Sequence, residues 1–251
     1  MTYRFLLAAL LAFGCALPAA AEDASAATDV TVRVRAHDAK FIGSGVGGLE
    51  VIFENAETGA WLASGQITGG TGDTDLLMRK PQQRGERLAP QADTAACTAS
   101  LPLTKPTRVR IRVTGPQQMA QPASLSVTTW VVPGHPIDGD GLVLNLPGLI
   151  VTADPMPSKG GELPLRATVT LMCGCPLTEG GLWDTADYEV MARVERPDGS
   201  VSAVPLSFTG EPNHFAGMLP VKQQGRHLVT IWAHNAGTGN TGAADYTVDV
   251  P

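Results

Sequence analysis

Hydrophobic and polar residues alternate in short runs along most of this chain, and no helical stripe of 11 or more residues interrupts them. Val30, Val32 and Val34 alternate with Thr31, Arg33 and Arg35, which predicts a strand with one buried and one wet face. Residues 49–53 and 61–67 flank Glu57-Thr58-Gly59, the pattern of a hairpin. Further strands are predicted over 108–113, 125–132, 142–146 and 149–152. Residues 68–101 show no clean period and are expected to form a long loop with at most one short element.

Asp154-Pro155-Met156-Pro157-Ser158-Lys159-Gly160-Gly161 is the strongest linker signal, since two prolines and two glycines within eight residues suit a boundary. Beyond it the strand rhythm resumes over 165–173, 188–195, 201–208, 215–221, 227–233 and 244–250, with Arg196-Pro197-Asp198-Gly199 as a turn. Short strands separated by regular turns predict an all-β protein of two antiparallel sandwiches in tandem. The expected division is a signal peptide over 1–21, a tail over 22–29, a first sandwich over 30–153, a linker over 154–163 and a second sandwich over 164–251.

Residues 188–250 resemble bacterial immunoglobulin-like domains, through the Pro-Asp-Gly turn, the edge Phe208-Thr209-Gly210 and the closing Gly239-Asn240-Thr241-Gly242 before the last strand. Residues 43–67 are similar to transthyretin-like or carboxypeptidase-regulatory-like modules, through Gly48-Leu49-Glu50-Val51 and the following Thr58-Gly59. The resemblance implies a sandwich fold and carries no particular activity.

Composition narrows the setting. A 43% hydrophobic and 17% charged chain can bury a core, and its net charge of −6 speaks against a nucleic-acid partner, which needs clustered Lys and Arg. Arg4, the apolar run from Phe5 to Leu17 and Ala19-Ala20-Ala21 read as an export leader cleaved before Glu22. The apolar run is shorter than a membrane span and no later stretch approaches that length, so the expected mature protein carries no transmembrane anchor, and the short, Ala-rich leader favours the periplasm. Export leaves Cys97, Cys173 and Cys175, an odd number, in a compartment that permits disulfides.

Cys173-Gly174-Cys175 is the sharpest chemical feature. Residues two apart on an extended strand point to one side, so the two sulfurs suit a soft ion such as Cu(I), or Zn(II), with Met172, His214, Met218 or His234 as further ligands. Three other readings stand beside it. The cysteines continue the inward parity of Leu165, Ala167, Val169 and Leu171, as buried core thiols or a local disulfide would. They can cycle between dithiol and disulfide, or one can bond Cys97. Two residues apart on a strand, their Cα atoms would sit about 6.5–7 Å apart, at the edge of the disulfide range unless Gly174 bends the chain.

The remaining motifs are weaker. Gly43-Ser44-Gly45-Val46-Gly47-Gly48 spells a dinucleotide fingerprint, but a strand pattern follows where a helix N-terminus is required. In the loop Thr68 to Thr74, Gly69, Gly70, Gly72 and Asp73 form a conformationally special segment, the expected contact with an exported protein partner. Asp138-Gly139-Asp140-Gly141 is expected to be a plain turn rather than a calcium loop, and His135 a surface-loop residue. Trp61, Trp130, Trp183 and Trp232 are expected to pack in the core or at its rim rather than to form a carbohydrate platform. No hydrolase or haem signature is present. The expected function is a non-catalytic binding or assembly module, with copper handling through Cys173 and Cys175 as the alternative.

Overall fold

The structure, a computed structural model, describes residues 27–119 and 122–251. The expected leader lies outside the described residues. The strands, in chain order, are β1 (Ala27–Ala36), β2 (Leu49–Asn55), β3 (Trp61–Ile67), β4 (Cys97–Pro102), β5 (Thr107–Gly115), β6 (Ala123–Val131), β7 (Ile137–Leu146), β8 (Leu149–Ala153), β9 (Glu162–Leu171), β10 (Tyr188–Glu195), β11 (Val201–Pro205), β12 (Ser207–Phe208), β13 (His214–Pro220), β14 (Gly225–Asn235) and β15 (Thr241–Val250). They form four sheets, so the all-β, two-sandwich architecture is the observed one.

The first sandwich packs sheet β4-β1-β7 against sheet β3-β2-β5-β6. Alternation fills the space between them with Leu49, Val51 and Phe53 from β2 and Val109, Ile111 and Val113 from β5, all fully buried. The pair β1–β7 is parallel, a departure from the purely antiparallel expectation, and five strands intervene in the chain between its members. Both faces of β1 are also covered. Thr31 and Arg33, expected to be wet, are buried because the chain between β3 and β4 folds over them. Thr31 pairs its hydroxyl with that of Thr98 at 2.8 Å, and Arg33 donates from Nη1 to the carbonyls of Thr94 and Ala95.

The second sandwich stacks β12-β13-β9-β8 on β11-β10-β14-β15, every pair antiparallel. Here β8 pairs with β9, Leu149 opposite Leu171 through Ala153 opposite Ala167. The segment expected to link two domains therefore joins neighbouring strands of one sheet, and the chain passes between sandwiches at Leu146-Pro147-Gly148-Leu149. Proline and glycine marked a turn correctly, but which sheet a strand joins is decided by distant partners. The expected strand 201–208 likewise divides at Leu206, whose amide binds the Val190 carbonyl at 2.8 Å while the chain crosses from one sheet to the other.

Candidate functional site

The inward residues of β9 are buried through Leu171, and the chain then turns. Gly174 has φ +77°, a conformation that favours glycine, and its amide closes the turn on the Leu171 carbonyl at 2.8 Å. The bend brings the Cα atoms of Cys173 and Cys175 to 5.3 Å, and their sulfurs are bonded to each other. That separation lies inside the usual disulfide range, as a bend at Gly174 was expected to achieve.

This cystine turn is part of the joint between the sandwiches. A Cβ on Gly174 would stand 2.9 Å from Cγ1 of Val46, in the short 3-10 turn Ser44–Val46 of the first sandwich. Trp183, buried on the same loop, donates its indole N–H to the Asp38 carbonyl at 2.9 Å. Asn240, in the loop between β14 and β15, donates to the His37 carbonyl at 3.0 Å and accepts from the Gly148 amide at 2.9 Å. Two loops of the second sandwich and the crossover peptide thus converge on residues 37–46.

Between them lies a cleft of about 320 Å³, walled by Lys40, Thr71 and Thr74 on one side and by the cystine, Pro176 and Trp183 on the other. Lys40 is held at its rim by a 3.1 Å hydrogen bond from Nζ to the Thr74 hydroxyl. Thr71 also walls a neighbouring depression of about 270 Å³ that contains Asp73, Gln91 and Asp93. The sequence carried no signal for Lys40, and Trp183 was expected simply to pack. Only the fold brings them to the cystine.

The expected copper ligands do not converge. Cys173 and Cys175 share a covalent bond and offer no thiolate in this form. Met172 is buried against Gly148 at the crossover. His214 and Met218 lie on β13 opposite Thr168 and Pro164, five and nine residues before Cys173 along β9, which is roughly 16 and 30 Å at the rise of a strand. His234 lies on β14, opposite Glu189 of β10. The His214 ring instead contacts the Pro212 carbonyl through Nδ1 at 2.8 Å. It borders a broad, shallow depression of about 640 Å³ on the outer face of β8, β9 and β13, away from both cysteines. Among the described residues no group of three or more His, Cys, Asp or Glu is placed to hold a metal ion.

Cys97 is buried and unbonded. It fits beneath β3 because Gly65 has no side chain: a Cβ there would fall 2.6 Å from the sulfur. Burial raises its thiol pKa and leaves it a poor nucleophile.

The glycines expected to meet a partner turn out to anchor the base of a loop. Gly69 packs against Gly43, takes a hydrogen bond from Ser44 and returns one to its hydroxyl. Gly70 exchanges backbone bonds with Asp93 and Ala95, and a Cβ on Gly72 would stand 3.2 Å from the Phe41 ring. Asp73 accepts from the Leu76 amide at 2.8 Å, at the start of the π-helical turn Asp75–Arg79. Gly70 and Asp73 remain exposed, and the stretch 79–87 beyond them is exposed without interruption before the chain returns to the body where Ala89 is buried. There Asp140 accepts from the amides of Leu88 and Ala89 at 2.7 and 3.0 Å. Asp138-Gly139-Asp140-Gly141, expected to be a plain turn, is part of β7, and one of its carboxylates clasps this loop.

No family model matches the chain, and no curated protein matches it. Three solved structures illustrate what it is similar to, each over 88% of this chain. A DUF3823 family protein from Bacteroides ovatus ATCC 8483 is covered over 100% of its length at 10% identity and a TM-score of 0.33. The chicken interferon gamma receptor alpha chain is covered over 96% at 12% identity and a TM-score of 0.36. Fibronectin(III)-like modules of CbhA from Clostridium thermocellum are covered over 90% at 11% identity and a TM-score of 0.28. Likenesses this distant carry no argument, and the reading as two β-sandwiches in tandem stands on the strand order itself.

Proposed function

We propose that this chain is an exported, non-catalytic binding module that grips another exported protein through loops beside the joint of its two sandwiches. The supporting observation is the excursion 79–87, exposed along its length yet tied down at both ends. Leu77 is buried before it, Ala89 is buried after it, and Asp140 holds the returning backbone. A loop presented by a rigid scaffold keeps its shape at little entropic cost on binding, which is how sandwich proteins commonly display recognition segments. Its base shares Thr71 with the interdomain cleft, so a partner seated on the loop also reaches Lys40 and Trp183.

The test is capture from the exported fraction with the wild-type chain and with a variant whose residues 81–87 are replaced by a Gly-Ser linker. The wild type should recover a defined partner and the variant should lose it at an unchanged melting temperature. Recovery of no partner, or equal recovery by both, overturns the reading.

A further inference from the structure

The outward face of sheet β3-β2-β5-β6 carries a second, chemically distinct surface. Alternation on β5 sends Val109, Ile111 and Val113 inward and Arg108, Arg110 and Arg112 outward. Their partners on β6 are Trp130, Thr128 and Ser126. On the other side Glu54 of β2 lies opposite Arg110, and Trp61 of β3 lies opposite Glu54. A register shift between Phe53 and Glu54 brings Trp61 opposite that outward-facing carboxylate. One row across the sheet therefore runs Trp61, Glu54, Arg110, Thr128, with Arg108 and Trp130 at its corner.

The two indoles are the most open large apolar side chains among the described residues, Trp61 at 67% and Trp130 at 58% exposure. Both were expected to pack. With strands about 4.8 Å apart, their Cα atoms are separated by roughly 16 Å across the face. Glu54 holds Arg112 at 3.0 Å and Arg110 at 4.0 Å, while Arg108 has no carboxylate partner among the described residues. The face thus sets three guanidinium groups against two carboxylates, Glu54 at its centre and Glu50 opposite Thr114, a local positive excess in a chain whose net charge is −6.

We propose that this face docks an acidic segment of a protein partner, its carboxylates on Arg108 and Arg112 and its apolar side chains against Trp61 and Trp130. Trp and Arg are the residue types that concentrate binding energy at protein interfaces, and a local positive excess on an acidic protein selects and steers an acidic partner. Glu54, standing between two of the arginines, matches a surface of mixed charge and would repel a uniformly anionic polymer. The inference rests on the binding-module reading only in requiring a protein partner, and it places the contact on a sheet face rather than on the loop.

The experiment measures binding of a labelled, alternating Glu-Tyr peptide to the full chain by fluorescence anisotropy at low and physiological salt, with polygalacturonate as a carboxylate polymer lacking a peptide backbone. The peptide should bind wild type, weaken with salt, and lose at least about tenfold in affinity in Arg108→Glu and in Trp130→Ala, with melting temperatures unchanged. Arg108→Lys should retain part of the affinity. No binding at low salt, equal binding by the variants, or binding of polygalacturonate alone overturns the proposal. The 81–87 linker variant separates the two readings. If the peptide fails to bind wild type while the linker still abolishes capture, the face is wrong and the loop stands. If the peptide binds through Arg108 and Trp130 while the linker leaves capture unchanged, the loop is wrong and the face stands.

Discussion

The two sandwiches fasten their irregular segments by different means. In the first, a long excursion between β3 and β4 is held by charged groups: the buried Arg33 reaches two carbonyls of the returning chain, and the half-buried Asp140 collects two amides. In the second, the segment between β9 and β10 begins with a covalent clasp, Cys173 to Cys175, and ends on the joint through Trp183. A charged hydrogen-bonding group holds only while it stays dehydrated and paired, so the first sandwich depends on its loop remaining closed. A disulfide holds the local turn whether or not its surroundings are packed. The first sandwich is thus the one whose fold and loop should fail together.

The largest expected effect comes from Arg33→Met, which keeps the stem but leaves the carbonyls of Thr94 and Ala95 without their donor. A loss of about 2–4 kcal/mol is expected, confined to the first sandwich, and differential scanning calorimetry should show one transition lowered and the other in place. A single transition moving as a whole would mean that the sandwiches melt as one unit. Next comes the double substitution Cys173→Ser/Cys175→Ser. A loop this short constrains the unfolded chain weakly, so the expected cost is about 1.5 kcal/mol, in the second sandwich. A thiol count on the chain without its leader sharpens the same point: no reactive thiol when folded, one on unfolding, and three after reduction. Trp183→Phe removes the hydrogen bond to Asp38 and should cost about 1 kcal/mol, with small-angle scattering showing a looser joint.

A last effect, absent at neutral pH, concerns strongly alkaline conditions and again falls on the second sandwich. Burial pushes Tyr188 and Tyr246 up to about 12, against 10.0 for a free phenol, with Asp154 adding to the effect at Tyr246. The folded state keeps both phenols protonated when the unfolded chain has begun to ionise. The stability they contribute is complete below pH 10 and is lost between pH 10 and about 12. Ultraviolet titration should find both midpoints near 12 when folded and near 10 in denaturant.

Much of the scaffold was legible because a strand exposed on one face writes its parity into neighbouring residues. β10 was found at its observed limits, and the β2–β3 hairpin, β5 and β14 within a few residues. The failures were non-local. β1 looked half-wet because nothing near Thr31 and Arg33 announces a cover arriving more than sixty residues later. β4 was missed as a strand because Cys97, Ala99 and Leu101, though of one parity, follow a stretch without period. At the candidate site, the bend at Gly174 and the sulfur pair were readable, since glycine between two cysteines is a local fact. Lys40, Asp38 and Trp183 were not, because the joint assembles them from opposite ends of the chain. Trp183 and Trp232 pack at the core and its rim as expected, whereas Trp61 and Trp130 stand exposed, because composition tells how many indoles exist and only strand register tells which side of a sheet receives them.

The parallel pairing of β1 with β7 has a mechanical consequence. The two strands run side by side from Val30 opposite Ile137 to Ala36 opposite Leu146, so the chain enters the first sandwich at one pole and leaves it at the other. Tension applied through the flanking chain would pull these neighbours lengthwise in opposite directions. Their cross-links would be strained together and would have to rupture as a group, whereas a hairpin tugged at its open end peels one rung at a time. The first sandwich is therefore built to resist stretching along the axis that connects it to the second.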